Sequence, residues 1–345
     1  MKKESSLVHS ALNSPQSGLI FVILALGIVL TLFAGSHTEP DAGRTINNFL
    51  NPFTLMQTAT NASFFAIMAV GATIIIISGR IDLSVGSIYA LSGVVMAMAL
   101  RGLAPLGTVA AVSIGFLICL GVGTLCGILN GVMVVGLRVH PFIITLGTMW
   151  ILRGIAFVIS KAESILVPDA LTDFAKATLG LRPGLYPIPL LFMLAVTLLG
   201  LLFLAKMVVG RYVYAVGGNL EASRYSGLRI GRILVGVYMI SGLTAGIAAF
   251  VGSAYYGSAA CADATGYELY VIAAAVVGGA SLRGGKGNAI NATLGALLIV
   301  LIRQSVTTLH LDQNYEWIII GCAIIVAVVL DQLNTNFAVS RGKAK

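Results

Sequence analysis

GRYVYAVGGNLEASRYSGLRIGR, Gly210 to Arg232, is a polar interruption between two apolar runs, Pro187–Val209 and Ile233 to about Ala254. Each flanking run has the length that crosses a bilayer as a helix. The stretch carries Arg211, Arg224, Arg229 and Arg232. Its middle reads as a very short helix. Asn219 is placed as N-cap, and Glu221 sits in the first turn, where a carboxylate opposes the positive end of the dipole. Arg224 lies towards the negative end, and Gly227 leaves the helix in the left-handed conformation that glycine adopts cheaply. A helix of about two turns is unstable alone in water, so the rest of the chain or a partner must hold it. The residues alone fit equally well a loop whose arginines only set membrane topology.

Composition extends that reading to the whole chain. Of 345 residues 58% are apolar and only 10% charged, and the mean hydropathy is +0.97. No soluble core needs so much apolar sequence. The runs do not alternate as barrel strands would. At roughly 20 residues per crossing, the expectation is an all-α polytopic membrane protein of about ten transmembrane helices, a single transmembrane domain over residues 1–345. The net charge of +8 sits at the ends of the apolar runs, which marks topology rather than a nucleic-acid surface. Cys119, Cys126 and Cys322 fall inside apolar runs and Cys261 stands alone, so free thiols are expected.

The spans read as Gly18–Ala34, Phe53–Ile77, Ser87–Leu100, Leu106–Leu129, Phe142–Ser160, Pro187–Val209, Ile233–Ala254, Tyr270–Ala280, Asn288–Ile302 and Tyr315–Leu330. With the N-terminus inside, most of the 21 basic residues fall on the cytoplasmic side, including Lys2, Lys3, Arg80, Arg138 and the four arginines of 210–232. The opposite orientation inverts the positive-inside rule in nearly every loop. Both termini are therefore expected in the cytoplasm. In the fourth run Gly115, Cys119, Gly123, Gly127 and Gly131 recur at steps of four, and Gly242 and Gly246 repeat the spacing in the seventh. Such stripes let helices approach closely.

The third and eighth runs are too short for a straight crossing of a ~30 Å core. One is headed by Ile81-Asp82-Leu83 and the other by Tyr267-Glu268-Leu269. Their places, third of five and third of the next five, fit an inverted repeat of helices 1–5 against 6–10 with discontinuous helices at its centre. On that reading Asp82 and Glu268 cap helix N-termini. Catalytic chemistry is not found. GGASLRGGKGN resembles a phosphate loop, but Ala280 stands where its first glycine belongs and Gly287 where Ser or Thr belongs. His9, His37, His140 and His310 lack metal spacing, and nothing resembles a nucleophile elbow.

SGRIDLSVGSI (78–88), HPFIITLGTMWILRG (140–154), VGGNLEASRYSGL (216–228) and TGYELYVIAAAVVGGASLRGGKG (265–287) together resemble the permease subunit of bacterial ABC importers of the ribose, xylose and arabinose class. The likeness covers nearly all of the chain beyond the first 50 residues, with the four motifs in order. The resemblance implies an inner-membrane location and a second permease subunit, as a homodimer or a heterodimer. It also implies two cytoplasmic ATPase subunits, with ATP and Mg bound there rather than on this chain, and a periplasmic sugar-binding protein. It makes 210–232 the ATPase-coupling loop, with Glu221, Ala222, Ser223 and Gly227 matching an EAA-x3-G pattern beside Asn219 and Arg224. Ser223 replaces an alanine of that pattern. Arg80, which could pair with Asp82, replaces a glycine, and Tyr270 replaces an aspartate.

A sugar path offers hydroxyls and amides to sugar hydroxyls. Asn61, Ser63, Ser84, Asn130 and Thr145, with Asp82 and Glu268, are the candidates, although each polar residue could equally make a helix–helix hydrogen bond. Two alternatives stay open. One is the same architecture importing a signalling furanone, a polyol or a nucleoside. The other is an ion-coupled secondary transporter, for which Asp82 is the single intramembrane carboxylate near a span interior.

Overall fold

Asn51 starts the central helix. Its side chain accepts from the Thr54 amide, and Pro52 occupies the first helical position, where a missing N–H costs nothing. The computed structural model describes residues 15–38, 45–103, 107–322, 325 and 329. In chain order it forms α1 (Pro15–Phe33), a small antiparallel hairpin of β1 (Ser36–Thr38) and β2 (Thr45–Asn47), α2 (Pro52–Ile77), α3 (Val85–Gly102), α4 (Thr108–Leu137) and α5 (Pro141–Ser160). There follow β3 (Ser164–Leu166), α6 (Asp169–Ala175), α7 (Ile188–Lys206), α8 (Val208–Gly218) and α9 (Leu220–Tyr225). The remaining elements are α10 (Ile230–Tyr256), β4 (Ser258–Ala260), α11 (Tyr267–Val277) and α12 (Ala289–Thr308). Helix resumes over 315–322, the start of the expected tenth span, most of whose remainder, like both chain ends, lies outside the described residues.

Among the described residues seven helices are long and apolar enough to cross a membrane. The fold is all-α and polytopic. α2 is its axis, with 94% of its most apolar window buried, whereas α5 buries only 22% of its own. The outer helices turn Leu117, Leu125, Trp150, Ile151, Leu198 and Leu199 outward, an apolar surface suited to lipid.

The two glycine stripes meet. At Gly127 an added Cβ would strike the Tyr238 carbonyl, and at Gly242 the Gly123 carbonyl. At Gly131 it would stand 2.7 Å from the Val235 Cα. α4 and α10 thus touch backbone to backbone along several turns, the close approach that small residues permit.

Two expectations are corrected. The third run is not short: Val85–Gly86 and Arg101–Gly102 extend α3 to 18 residues, about 27 Å at 1.5 Å per residue. Of the two, α11 with its 11 residues is half a crossing. The stretch 210–232 is largely helix rather than loop, because α8 continues to Gly218. Between α5 and α7, the segment 161–186 also holds β3, paired antiparallel with β4 across almost a hundred residues.

Candidate functional site

Between α2 and α3 the chain turns back through Ser78–Ser84, and Asp82 is buried there, 3% exposed. Its Oδ1 accepts from the Ser84 amide at 2.9 Å and the Ser84 hydroxyl at 2.6 Å. Its Oδ2 accepts from the Ser241 hydroxyl of α10 at 3.0 Å. Asn130 of α4 donates to Ser84 Oγ at 2.7 Å, and the Tyr238 hydroxyl donates to the Ile81 carbonyl at 3.2 Å. The carboxylate thus takes neutral donors from Ser84 and from α10, with α4 joined through Ser84, which satisfies a buried acceptor without a cation. Arg80 makes no ion pair with Asp82. Its guanidinium donates to the Gly79 carbonyl instead, at 3.3 Å. Nor is Asp82 the helix cap. Ser84 holds that place, and Asp82 binds the Ser84 N–H two residues on, as aspartates do in turns.

The second carboxylate meets the first turn of α3. After β4 the chain dips through 261–266, where Arg153 of α5 donates to the carbonyls of Cys261 at 2.7 Å and Asp263 at 2.6 Å. The Asp263 carboxylate accepts from the Ala260 amide at 2.8 Å, and burial pushes that carboxyl above its ordinary value against the pull of this bond and of Arg153. α11 then begins after Gly266, so Glu268 lies in its first turn rather than at its cap. A Cβ added at Gly86, in the first turn of α3, would stand 2.5 Å from the Ala264 backbone carbonyl and 2.6 Å from Glu268 Oε2. The first turns of α3 and α11 thus meet inside the bundle, and only a glycine at position 86 allows it.

The other candidates separate. Thr145 and Ser63 donate to carbonyls of their own helices, Pro141 and Ala59. Asn61 stands near the far end of α2, where Oδ1 accepts from the Tyr256 hydroxyl at 3.3 Å. Asp82, Ser84 and Asn130 therefore form one cluster, Glu268 lies against Gly86 in the first turn of α3, and Asn61 and Thr145 lie apart. Ser241 and Arg153 complete the arrangement and were not candidates. Ser241 abuts the Gly242 stripe and Arg153 is a lone cation in an apolar run, which were their only signals.

At the opposite end from Asn61 lies α9. Asn219 Oδ1 accepts from the Ala222 amide at 2.9 Å, with Glu221 in the first turn and Arg224 in the last. Gly227 has φ +77, its amide donates to the Arg224 carbonyl, and the Leu228 amide donates to the Ser223 carbonyl, a Schellman stop. Ser223 is buried while Glu221, Ala222, Arg224 and Tyr225 face outward. α8 anchors this helix to the core. A Cβ added at Gly217 would strike the Ile77 carbonyl and stand 2.8 Å from the Gly285 amide nitrogen, and the Tyr214 hydroxyl donates to the Gly287 carbonyl at 2.7 Å. Ile77, which ends α2, is five residues from Asp82.

Residues 54–328 match the family model described as branched-chain amino acid transport system / permease component. The chain is 36% identical to the D-allose transport system permease protein AlsC of Escherichia coli K12, over 96% of this chain and 95% of that one. It is 36% identical to the ribose import permease protein RbsC of the same strain, over 92% and 93%. To the fructose import permease protein FrcC of Rhizobium meliloti it is 29% identical, over 96% and 88%. Relatedness on this scale spans α9, both re-entrant turns and every long helix between them, and the chain belongs to the branched-chain amino acid transport system permease component family.

Proposed function

We propose that this chain is the membrane-spanning subunit of an ATP-driven importer of a monosaccharide in a bacterial inner membrane. The observation that carries the reading is α9, a capped, outward-facing helix locked through α8 to the end of α2. Its relatives named for allose, ribose and fructose support the sugar. A second permease subunit, two ATPase subunits and an external sugar-binding protein complete the machine, and ATP is hydrolysed on the partners.

On this reading residues 210–232 lie in the cytoplasm with both termini, and Asn219, Glu221, Ala222, Arg224 and Gly227 present the surface that the ATPase grips. Displacement of α9 passes through α8 and the Gly217–Ile77 contact to the turn holding Asp82. There the facing first turns of α3 and α11, the centre of an inverted repeat, form the element that opens and shuts. Asp82, Ser84, Asn130 and Glu268 act on the path at that point. Asn61 acts at its far mouth, and Thr145 acts from the wall.

The test is uptake of labelled ribose, allose or fructose into proteoliposomes holding the chain with its ATPase and binding protein. Import that requires internal ATP upholds the reading. Import driven by a sodium or proton gradient with no ATPase present would replace it with secondary transport through Asp82.

A further inference from the structure

At the end of the bundle remote from α9, a cavity of about 260 Å³ lies between α2, α10, α11 and α12. One wall is aromatic, with exposed Tyr256 and half-buried Tyr267 lying over the buried rings of Phe64 and Phe65. Phe65 and Tyr267 have centroids 4.5 Å apart, and Phe64 and Tyr256 5.6 Å. The other wall is polar, with Asn61, Gln304, Arg303 and Glu316. Arg303 Nε lies 2.8 Å from Glu316 Oε1. The guanidinium also sits 5.6 Å from the Phe65 centroid and 5.3 Å from that of Tyr270, a cation held over two rings. The Tyr270 hydroxyl donates to the same Glu316 oxygen at 3.0 Å. None of this wall would suit lipid.

We infer that this cavity holds a single neutral monosaccharide ring, stacked on the aromatic wall and hydrogen-bonded by Arg303, Glu316, Asn61 and Gln304. The inference rests on the importer reading and deepens it by assigning a sugar-holding station to the permease itself.

Three features select the ligand class. A sugar ring has a face of C–H bonds and a rim of hydroxyls that both donate and accept. An aromatic face beside amide, guanidinium and carboxylate groups matches both halves. The charges inside already neutralise each other. A zwitterionic amino acid needs an unpaired cation and anion, so it would have to break Arg303 from Glu316, whereas a neutral polyol adds to the pair. Of the five N–H donors of a guanidinium, Nε serves Glu316 and the terminal nitrogens carry the others. Size decides the rest. Pockets for drug-sized ligands start at about 300 Å³, and this cavity of about 260 Å³ falls below that, the scale of one pentose or hexose.

The site carries its own reporter. Trp317 lies 5.9 Å from Tyr270, and the second of the two tryptophans, Trp150, points outward from α5. In a Trp150→Phe background, the full chain in nanodiscs without partners is titrated with D-ribose, D-allose, D-fructose and L-leucine. Trp317 emission and equilibrium dialysis are read independently. The expected result is saturable binding of at least one sugar and none of leucine. Asn61→Ala and Gln304→Ala, which leave the ion pair intact, should each weaken it several-fold, and Arg303→Leu by about tenfold or more. No saturable sugar binding, or binding indifferent to Asn61→Ala and Gln304→Ala, overturns the site. Leucine binding with sugar excluded also overturns it. ATP-driven sugar uptake by the complete assembly, unaltered by both alanine variants, would remove this station and leave the importer reading standing. Sugar bound here by a chain whose assembly imports none would do the reverse.

Discussion

Ser241 and Asp82 are 159 residues apart in the chain, and the serine hydroxyl donates to the carboxylate at 3.0 Å in a fully buried position. That bond joins α10 to the turn between α2 and α3, so the carboxylate senses where two spans stand relative to each other.

Asp82→Asn should therefore slow transport without preventing insertion. The amide keeps one acceptor oxygen, so either Ser84 or Ser241 faces a donor. A buried polar group left unsatisfied costs about 1–3 kcal/mol. Against a total stability of about 5–15 kcal/mol this leaves the bundle folded, while a shift of 1.4 kcal/mol moves a gating equilibrium about tenfold. Uptake should fall about tenfold at normal membrane abundance, and adding Ser241→Ala should cost less than the sum of the two. Wild-type uptake kinetics in Asp82→Asn would take the carboxylate off the working parts.

Gly127→Leu should destabilise the bundle where Gly121→Leu does not. At Gly127 a side chain meets the Tyr238 backbone, which cannot turn aside, whereas nothing lies within 4 Å of a Cβ at Gly121. Overpacking of this kind costs about 1–3 kcal/mol or more. Thermal unfolding in detergent should drop by several degrees for the first variant and stay level for the second. Equal losses would mean that the seam between α4 and α10 is not what holds them.

Gly227→Val should uncouple without unfolding. A Cβ there meets nothing within 4 Å, so the cost is conformational, about 1–2 kcal/mol for a side chain at left-handed φ. Expression should be normal, co-purification of the ATPase weak and sugar uptake small. Gly227→Asn, which tolerates that conformation better, should retain part of both. Full uptake by the valine variant would reduce α9 to a mere connection.

Orientation is checked by labelling. In a background without the native cysteines, Asp173→Cys should react with an impermeant maleimide in intact cells. Ser226→Cys should react only after permeabilisation. Both positions lie beside or within segments whose side chains are exposed. Equal labelling of the two would overturn the placing of 210–232 inside.

What could be read from the sequence was local. The cap at Asn219 and the stop at Gly227 follow from residue chemistry within one turn, and both stand in the structure as the sequence implies. α8 was hidden because Gly210, Arg211, Gly217 and Gly218 look like loop. Its buried line of Gly210, Val213 and Val216 is amphipathic, a signal that a search for uniformly apolar runs passes over. β3 was hidden for another reason: three residues become a strand only because β4 lies beside them. The same holds at the site. Asp82 and Ser84 are neighbours and were found together, whereas Ser241 and Arg153 matter only through partners 159 and 108 residues away.

The glycine seam between α4 and α10 has a kinematic consequence. Where carbonyls rest directly on glycine Cα atoms, with Gly123 against Gly242 and Cys119 against Gly246, there is no layer of flexible side chains to deform. A sliding displacement by even one residue would bring a branched neighbour onto a carbonyl. Shear, the usual small motion of packed helices, is closed to this pair. The two helices must turn as one rigid lever. On the importer reading, a displacement at α9 that reached this pair would turn both helices together rather than slide one past the other.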